Sequence, residues 1–148
     1  MLEGKRTVII VDCRDKAEQD VSMIPGAIRQ SEFESTVDMG KTKAPTTVVA
    51  YCTIGYRSGL FIKSLGETMD DQDRYIELFN LRGSILAWCH SGRPLVSGMD
   101  PTQDSKIIHT YGSAWALPPD GYNATYATEG IITRVFGKIL SWWAHTRK

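Results

Sequence analysis

The chain has 148 residues, the length of one domain or of one domain with an appendage. Lys and Arg together number 17, as do Asp and Glu, so the formal net charge is zero and a basic nucleic-acid-binding surface is not expected. No apolar run approaches the roughly 18 residues of a membrane span. The N-terminus is a poor match to a secretory signal, and three cysteines do not suggest a disulfide scaffold. We therefore expect a soluble globular protein of the cytoplasm or of an organelle.

The predicted elements alternate between strands and helices over the first two thirds of the chain. The β-branched run at 8–11, bounded by charged residues, is the pattern of a strand buried on both faces. The run at 46–51 predicts the clearest strand. In chain order, the predicted strands are 8–11, 27–29, 46–51 and 75–81, and the predicted helices are 12–21, 32–39, 58–67 and 85–90. This alternation predicts an α/β fold with a parallel sheet and right-handed crossovers.

The last third of the chain has a different pattern. Residues 97–106 are polar, and an irregular stretch follows. Apolar residues at helical spacing then predict an amphipathic helix at 131–143. We expect the extension at 97–148 to pack on the domain at 1–96 or on a partner subunit, which allows a homodimer through this helix. Contact of 131–143 with a membrane surface is the less favoured interpretation.

A cysteine loop carries the predicted chemistry. Cys52 directly follows the strand at 46–51 and precedes the helix at 58–67, so it lies at the carboxyl edge of the sheet, where open α/β sheets bind ligands. Gly55 gives the loop the freedom to turn its backbone N–H groups inward, and the helix N-terminus points at the same place. Such a setting lowers a thiol pKa from roughly 8.5. Arg57 adds a planar cation suited to an oxyanion, so the loop predicts a nucleophilic thiolate.

Three blocks of residues, between about 7 and 96, resemble the signatures of the rhodanese-like sulfurtransferases and occur in the family's order. They are Asp12-Cys13-Arg14 with Glu18 and the run from Ser22 to Ala27; the loop from Cys52 to Ser58; and the run from Leu81 to Trp88 with Gly92, Pro94 and Leu95. The resemblance implies a three-layer fold with a central parallel sheet of about five strands flanked by helices. Met23 stands where the family often has histidine, and Ser84 replaces the second glycine of a common pair. We expect both departures to affect local packing and neither to touch the loop.

The resemblance also implies a two-step sulfur transfer. Cys52 takes the outer sulfur of thiosulfate or of another persulfide donor, and a thiol or cyanide acceptor then removes it. Arg57 is expected to orient the anionic donor. The loop residues expected to bind substrate, chiefly through their backbone, are Thr53, Ile54, Gly55, Tyr56 and Ser58. No cofactor is required, and scattered histidines without a Cys-x-x-Cys pair predict no metal site.

Two other functions stay open at this point. A phosphatase or arsenate reductase of the related cysteine-loop kind needs a longer loop than the four residues that separate Cys52 from Arg57. Tyr51 also stands where such enzymes commonly have histidine. The second alternative is a binding or regulatory module, because rhodanese-like domains also occur without activity. Those modules usually lack the cysteine that this chain keeps, and fold alone does not decide between them.

The remaining candidates have structural interpretations. Cys13 and Cys89 invite a role as resolving cysteines, but free cysteine is among the most buried residue types, and we expect both to pack as small apolar residues. Asp12, Arg14 and Glu18 are candidate catalytic groups in principle. We expect them to form a structural cluster of ion pairs instead.

Overall fold

The computed structural model describes residues 6–38, 44–69 and 75–126 of the chain. The amphipathic helix predicted at 131–143 lies outside these residues. Among the helices within them, none has the length and apolar content that crossing a membrane requires.

The centre of the fold is a parallel sheet with the strand order β2-β1-β3-β4. Its strands are β1 (Thr7–Asp12), β2 (Ala27–Arg29), β3 (Thr46–Tyr51) and β4 (Ile76–Asn80). The register aligns Asp12 with Tyr51, so β1 and β3 end side by side. Four strands form this sheet among the described residues, where about five were expected. The next extended segment, β5 (Leu95–Val96), instead pairs antiparallel with β6 (Asp104–Ser105).

Four helices connect the strands, and each predicted helix has a counterpart with shifted ends. They are α1 (Lys16–Val21), α2 (Gln30–Thr36), α3 (Tyr56–Glu67) and α4 (Ser84–His90). α1 starts later than the predicted residue 12 because Asp15 caps the helix. The backbone N–H of Asp15 donates to the Glu18 carboxylate at 3.1 Å. α3 starts two residues before the predicted position because Gly55, with φ +110°, makes the turn into the helix.

The helices cover both faces of the sheet, which gives the three expected layers. On one face, Val11, Val48 and Ala50 pack against α2 and α3, where the rings of Phe33 and Phe61 meet edge to face at 5.7 Å. The opposite face holds a second cluster that includes Ile24, Tyr51, Ile85, Leu95 and Ile108. Neighbouring strand residues thus point into different clusters, as the two-residue period of a strand requires.

The prediction that the first strand is buried on both faces is wrong for its first half. Val8 is 59% exposed, whereas Val11 is fully buried. Val8 and Ile10 lie on the same face of the strand, and the second core cluster on that face reaches Ile10 but does not include Val8. In β1, burial is therefore concentrated at the carboxyl end, beside the end of β3 where the cysteine loop begins.

The segment after residue 97, predicted to be irregular, contains regular structure. β7 (Ile107–Thr110) pairs in parallel with β8 (Asn123–Tyr126). Ile108 is fully buried in the second core cluster, beside residues of α4 and β5. The described part of the extension therefore packs on the rest of the domain. The division of the chain into 1–96 and 97–148 stays a prediction.

Candidate active site

Cys52 directly follows β3 and is only 1% exposed. The loop after it closes back on the sulfur, because the backbone N–H of Gly55 donates to Cys52 Sγ at 3.1 Å. The other side of the loop is held by the start of α4, where the Ile85 N–H donates to the Cys52 carbonyl at 3.2 Å. The thiol therefore sits where the sequence placed it, between the end of a parallel strand and the N-terminus of a helix.

The hydrogen bonds of the loop favour the thiolate. Burial by itself raises the pKa of Cys52, but hydrogen bonds from the backbone N–H and hydroxyl of Ser58 and from the backbone N–H groups of Gly55 and Ile54 outweigh it and lower that pKa. The Ser58 hydroxyl has one proton and also donates to Asn80 Oδ1 at 2.7 Å. We therefore attribute the lowered pKa chiefly to the backbone N–H groups of Ser58, Gly55 and Ile54.

Asn80 supports the loop from the end of β4, and the sequence analysis missed it. Its Nδ2 donates to the Gly55 carbonyl at 2.8 Å while its Oδ1 accepts from Ser58. One amide side chain thus fixes the backbone at Gly55 and the side chain at Ser58. The available signal was a polar residue at the carboxyl end of a strand adjacent to the one that carries the cysteine.

Ser84 contacts the loop, so the expectation that it does not touch it is wrong. Its Oγ accepts a hydrogen bond from the Cys52 N–H at 3.1 Å. Its φ of +51° lies in the left-handed region that favours glycine. At the preceding Gly83, an added Cβ would lie 2.5 Å from the Ala87 side chain, so that position requires glycine. The serine thus keeps a strained conformation and supplies an acceptor that a glycine there would lack.

Arg57 points along the edge of the loop and is paired with Glu18. Its Nη1 and Nη2 donate to the two carboxylate oxygens at 2.5 and 3.0 Å, and Nη2 also donates to Thr53 Oγ1 at 3.1 Å. Asp15 Oδ2 lies 3.5 Å from Nη1. Burial raises the pKa of Glu18, but the hydrogen bonds and charge of Arg57 outweigh it and lower that pKa.

The acidic and basic residues of the first block take part in two separate ion pairs, one within the block and one with Arg57. Asp12 and Arg14 bind each other at 2.8 Å with both side chains fully buried, while Glu18, from α1, pairs with Arg57 of the cysteine loop. Tyr51 Oη donates to Asp12 Oδ2 at 2.6 Å and accepts from the Ile24 N–H at 3.1 Å. Asp12 and Arg14 are therefore internal supports of the sheet edge, and Glu18 also contacts a predicted site residue.

A pocket of about 280 Å³ opens above the sulfur. Its lining consists of five predicted residues and two that the sequence analysis missed: Cys52, Thr53, Ile54, Tyr56, Arg57, Tyr111 and Trp115. The Tyr111 ring lies over the Arg57 guanidinium, with 5.0 Å between Cζ and the ring centroid. Tyr111 and Trp115 come from the extension, and their only signal in the sequence was aromatic content in a polar stretch. Gly55 and Ser58 do not line the pocket, but both donate hydrogen bonds to the Cys52 sulfur.

The other two cysteines pack in the core. Cys13 is 8% exposed and lies in the cluster between the sheet and α2, and Cys89 is 1% exposed on the opposite face. Burial raises the pKa of Cys89 to about 11 and that of Cys13 further. Among the residues that the structure describes, no three His, Cys, Asp or Glu side chains come together in a way that would hold a metal ion.

The chain is similar to proteins described as rhodanese-like or as sulfurtransferases. Residues 1–91 match the rhodanese-like domain family. A sulfurtransferase from Allochromatium vinosum is 34% identical over 96 residues, which cover 65% of this chain and 85% of that protein. The probable adenylyltransferase/sulfurtransferase MoeZ from Mycobacterium tuberculosis is 28% identical over 95 residues, which cover 63% of this chain and 23% of MoeZ. Among solved structures, a rhodanese-related protein from Thermoplasma volcanium aligns at 19% identity with a TM-score of 0.47, covering 64% of this chain and 86% of that one.

The family match extends over more than half of the chain and includes the cysteine loop with its first flanking block and most of the third. The relative from Allochromatium supports sulfurtransferase activity in general. The resemblance drawn from the three sequence blocks is thereby confirmed, and the chain belongs to the rhodanese-like domain family.

Proposed function

We propose that the protein is a sulfurtransferase that carries a sulfane sulfur as a persulfide on Cys52. The donor is thiosulfate or another persulfide donor, and the acceptor is a thiol or cyanide. The observation that carries this proposal is the environment of the sulfur: Cys52 is buried, yet the Gly55 N–H donates to it at 3.1 Å and its pKa is lowered. Cys89, which is equally buried, has its pKa raised by burial to about 11. The loop therefore favours a thiolate where simple burial would oppose it.

The first step forms the persulfide. The Cys52 thiolate attacks the outer sulfur of thiosulfate, a bond forms between the two sulfurs, and the bond to the central sulfur breaks so that sulfite leaves with its electron pair. The negative charge moves onto the terminal sulfur of the persulfide. Backbone N–H groups aimed at this place stabilise that charge as they stabilise the thiolate. Arg57, on the pocket wall, is assigned the role of orienting the oxygens of the donor.

The second step returns the enzyme to its thiolate. The acceptor thiolate or cyanide attacks the terminal sulfur, forms a new bond to it and displaces Cys52, which keeps the electron pair. A thiol of lowered pKa leaves faster, so the same N–H groups assist both steps.

Intact-mass measurement of the reduced protein after incubation with thiosulfate and desalting tests the proposal. The expected result is a gain of one sulfur atom that cyanide discharges as thiocyanate. Cys52→Ser should show no gain, while Cys89→Ala should load as the native protein does. If folded native protein takes up no sulfur from thiosulfate or from glutathione persulfide, the proposal is wrong and a non-catalytic binding role becomes the better interpretation.

A phosphatase or arsenate reductase is less well supported. Four residues separate Cys52 from Arg57, a shorter loop than those enzymes use. The Arg57 guanidinium also donates three hydrogen bonds to Glu18 and Thr53, which compete with its use in holding a tetrahedral anion. Release of phosphate from an aryl phosphate, lost in Cys52→Ser, would favour the phosphatase over the sulfurtransferase.

A further inference from the structure

We propose that the pocket above Cys52 selects sulfur donors that carry an apolar body about the size of an aromatic ring, and that Tyr111 and Trp115 determine this preference. The selectivity presupposes the sulfur transfer proposed for Cys52 and defines its donor class. The donors in question are organic thio compounds of low charge, in contrast to the small dianion thiosulfate.

Three large apolar side chains on the pocket walls are partly exposed to solvent. Ile54 is 37% exposed, Tyr56 52% and Trp115 41%, and all three line the space above the sulfur. The volume of about 280 Å³ is near the lower end of the ~300–1,000 Å³ range of small-molecule sites. A ring-sized body bound here would remove these surfaces from water and pack against aromatic faces. Thiosulfate is too small to do either.

The charge around the pocket disfavours a small dianion. Of the described residues that line it, Arg57 alone is cationic, and its guanidinium is already bound to both carboxylate oxygens of Glu18 at 2.5 and 3.0 Å. The Asp15 carboxylate lies 3.5 Å from the same guanidinium. A dianion entering the pocket would lose much of its hydration without gaining an unpaired cation. A singly charged donor with an apolar body loses less hydration and gains the ring contacts.

The aromatic wall is specific to this chain's extension and is firmly positioned. The family match ends at residue 91, so both Tyr111 and Trp115 lie outside it. β7 leads into Tyr111, and its Ile108 is fully buried in the core. The side chain of Arg14 also reaches the His109 carbonyl at 3.4 Å. These contacts hold Tyr111 over Arg57 and place Trp115, in the 3₁₀ helix Ser113–Trp115, at the pocket mouth.

Competing thiosulfonate donors test the preference. Benzenethiosulfonate and methanethiosulfonate each carry one negative charge and react in the same way: the bond from the terminal sulfur to the sulfonyl sulfur breaks, Cys52 gains the terminal sulfur, and a sulfinate leaves with the electron pair. We would measure kcat/KM for both donors and for thiosulfate, with cyanide as acceptor and thiocyanate as the readout. Native protein should favour the benzene compound over the other two by about tenfold or more, the size of discrimination that apolar pockets achieve.

Variants of the exposed ring separate pocket selectivity from the intrinsic reactivity of the donors. Trp115→Ala should reduce the benzene-to-methane ratio of kcat/KM by about fivefold or more, chiefly by lowering kcat/KM for the benzene compound. Trp115→Phe should retain most of the ratio. Leu117→Ala removes a side chain that is 65% exposed on the same segment and should change neither value. Urea unfolding of each variant beside the native protein shows independently that it is folded.

Two results would overturn the inference in different ways. If every donor transfers sulfur with similar efficiency, or if Trp115→Ala slows both thiosulfonates equally, the pocket does not select an apolar body and sulfur transfer itself stands. If no donor yields thiocyanate and Cys52 gains no sulfur, the proposed function and the donor preference are both wrong.

Discussion

Glu18 and Arg57 bind each other through two hydrogen bonds of 2.5 and 3.0 Å, although 38 positions separate their places in the chain. Glu18 is only 3% exposed. Thr53 completes the arrangement, because its hydroxyl donates to Glu18 Oε1 at 3.2 Å and accepts from Arg57 Nη2 at 3.1 Å. Three side chains thus fasten the cysteine loop to α1, and the charge of Arg57 is balanced before any substrate arrives.

Replacing Glu18 by Gln should destabilise the fold. The change removes the buried negative charge beside the guanidinium of Arg57, whose side chain is 19% exposed, and leaves it only the more distant Asp15, whose side chain is 65% exposed. Breaking a buried ion pair on one side costs roughly 3 kcal/mol, and urea unfolding at neutral pH measures the loss. Glu67→Gln is the matched control, because its pair with Lys63 is 3.9 Å long with side chains 75% and 68% exposed, and its loss should be below about 0.5 kcal/mol. Equal losses in the two variants would contradict the importance of the buried pair.

The cost of Glu18→Gln should also depend on pH. The folded state lowers the pKa of Glu18 below its ordinary 4.5, so the carboxylate contributes stability above that pH and the contribution is lost as the pH falls through the lowered pKa. A protonated Glu18 resembles the neutral Gln. The free energies of unfolding of native protein and variant should therefore approach each other as the pH falls below about 4.5, and converge once it lies below the lowered pKa. Comparing the two proteins isolates Glu18 from Asp20 and Asp100, whose pKa values are also lowered. A difference that stays constant with pH would assign the loss to packing.

The three cysteines should differ sharply in their reaction with iodoacetamide. The loop lowers the pKa of Cys52 from its ordinary 9.0, whereas burial raises that of Cys89 to about 11 and that of Cys13 further. Since the thiolate is the reacting form, folded protein at neutral pH should be alkylated at Cys52 alone, with a rate profile whose midpoint lies below pH 9.0. Peptide mapping by mass spectrometry measures this. In urea, the three should react with a common midpoint, and a Cys52 midpoint that does not change on unfolding would contradict the role of the loop.

The cysteine loop was predictable because its signals are local. The β-branched run before Cys52 and the helical spacing after it fix the strand and the helix, and the topology of parallel sheets then places the thiol at the carboxyl edge. Only the helix start was displaced, because the left-handed conformation of Gly55 begins α3 two residues before its periodic apolar pattern. Local pattern therefore predicted both the position of the Cys52 thiol and the fold class.

The rest of the site depends on contacts between distant segments. Trp115 lines the pocket, and the strand before it is anchored by Ile108 in the second core cluster. The local sequence pattern of residues 97–126 does not predict this packing. The pairing of Glu18 with Arg57 follows from how α1 lies beside the loop, although both residues were singled out individually. The role of Ser84 was predicted wrongly. A serine in place of a family glycine suggested only an effect on local packing, whereas its hydroxyl oxygen accepts a hydrogen bond from the Cys52 N–H.

Two substitutions of Ser84 should separate its backbone strain from its hydrogen bond. At φ +51°, an L-residue pays about 1–2 kcal/mol, while the Oγ accepts from the buried Cys52 N–H at 3.1 Å, a contact whose loss costs about 1–3 kcal/mol. Ser84→Gly loses the acceptor but relieves the strain, so its free energy of unfolding should stay within about 1 kcal/mol of the native value. Ser84→Ala loses the acceptor without relief and should be the less stable of the two in urea. Ser91→Ala removes an exposed hydroxyl directly after α4, which donates to the Ala87 carbonyl, and should cost less than about 0.5 kcal/mol. An alanine variant as stable as the glycine variant would show that the left-handed backbone at this position carries no cost, and the serine would then be explained by its hydrogen bond alone.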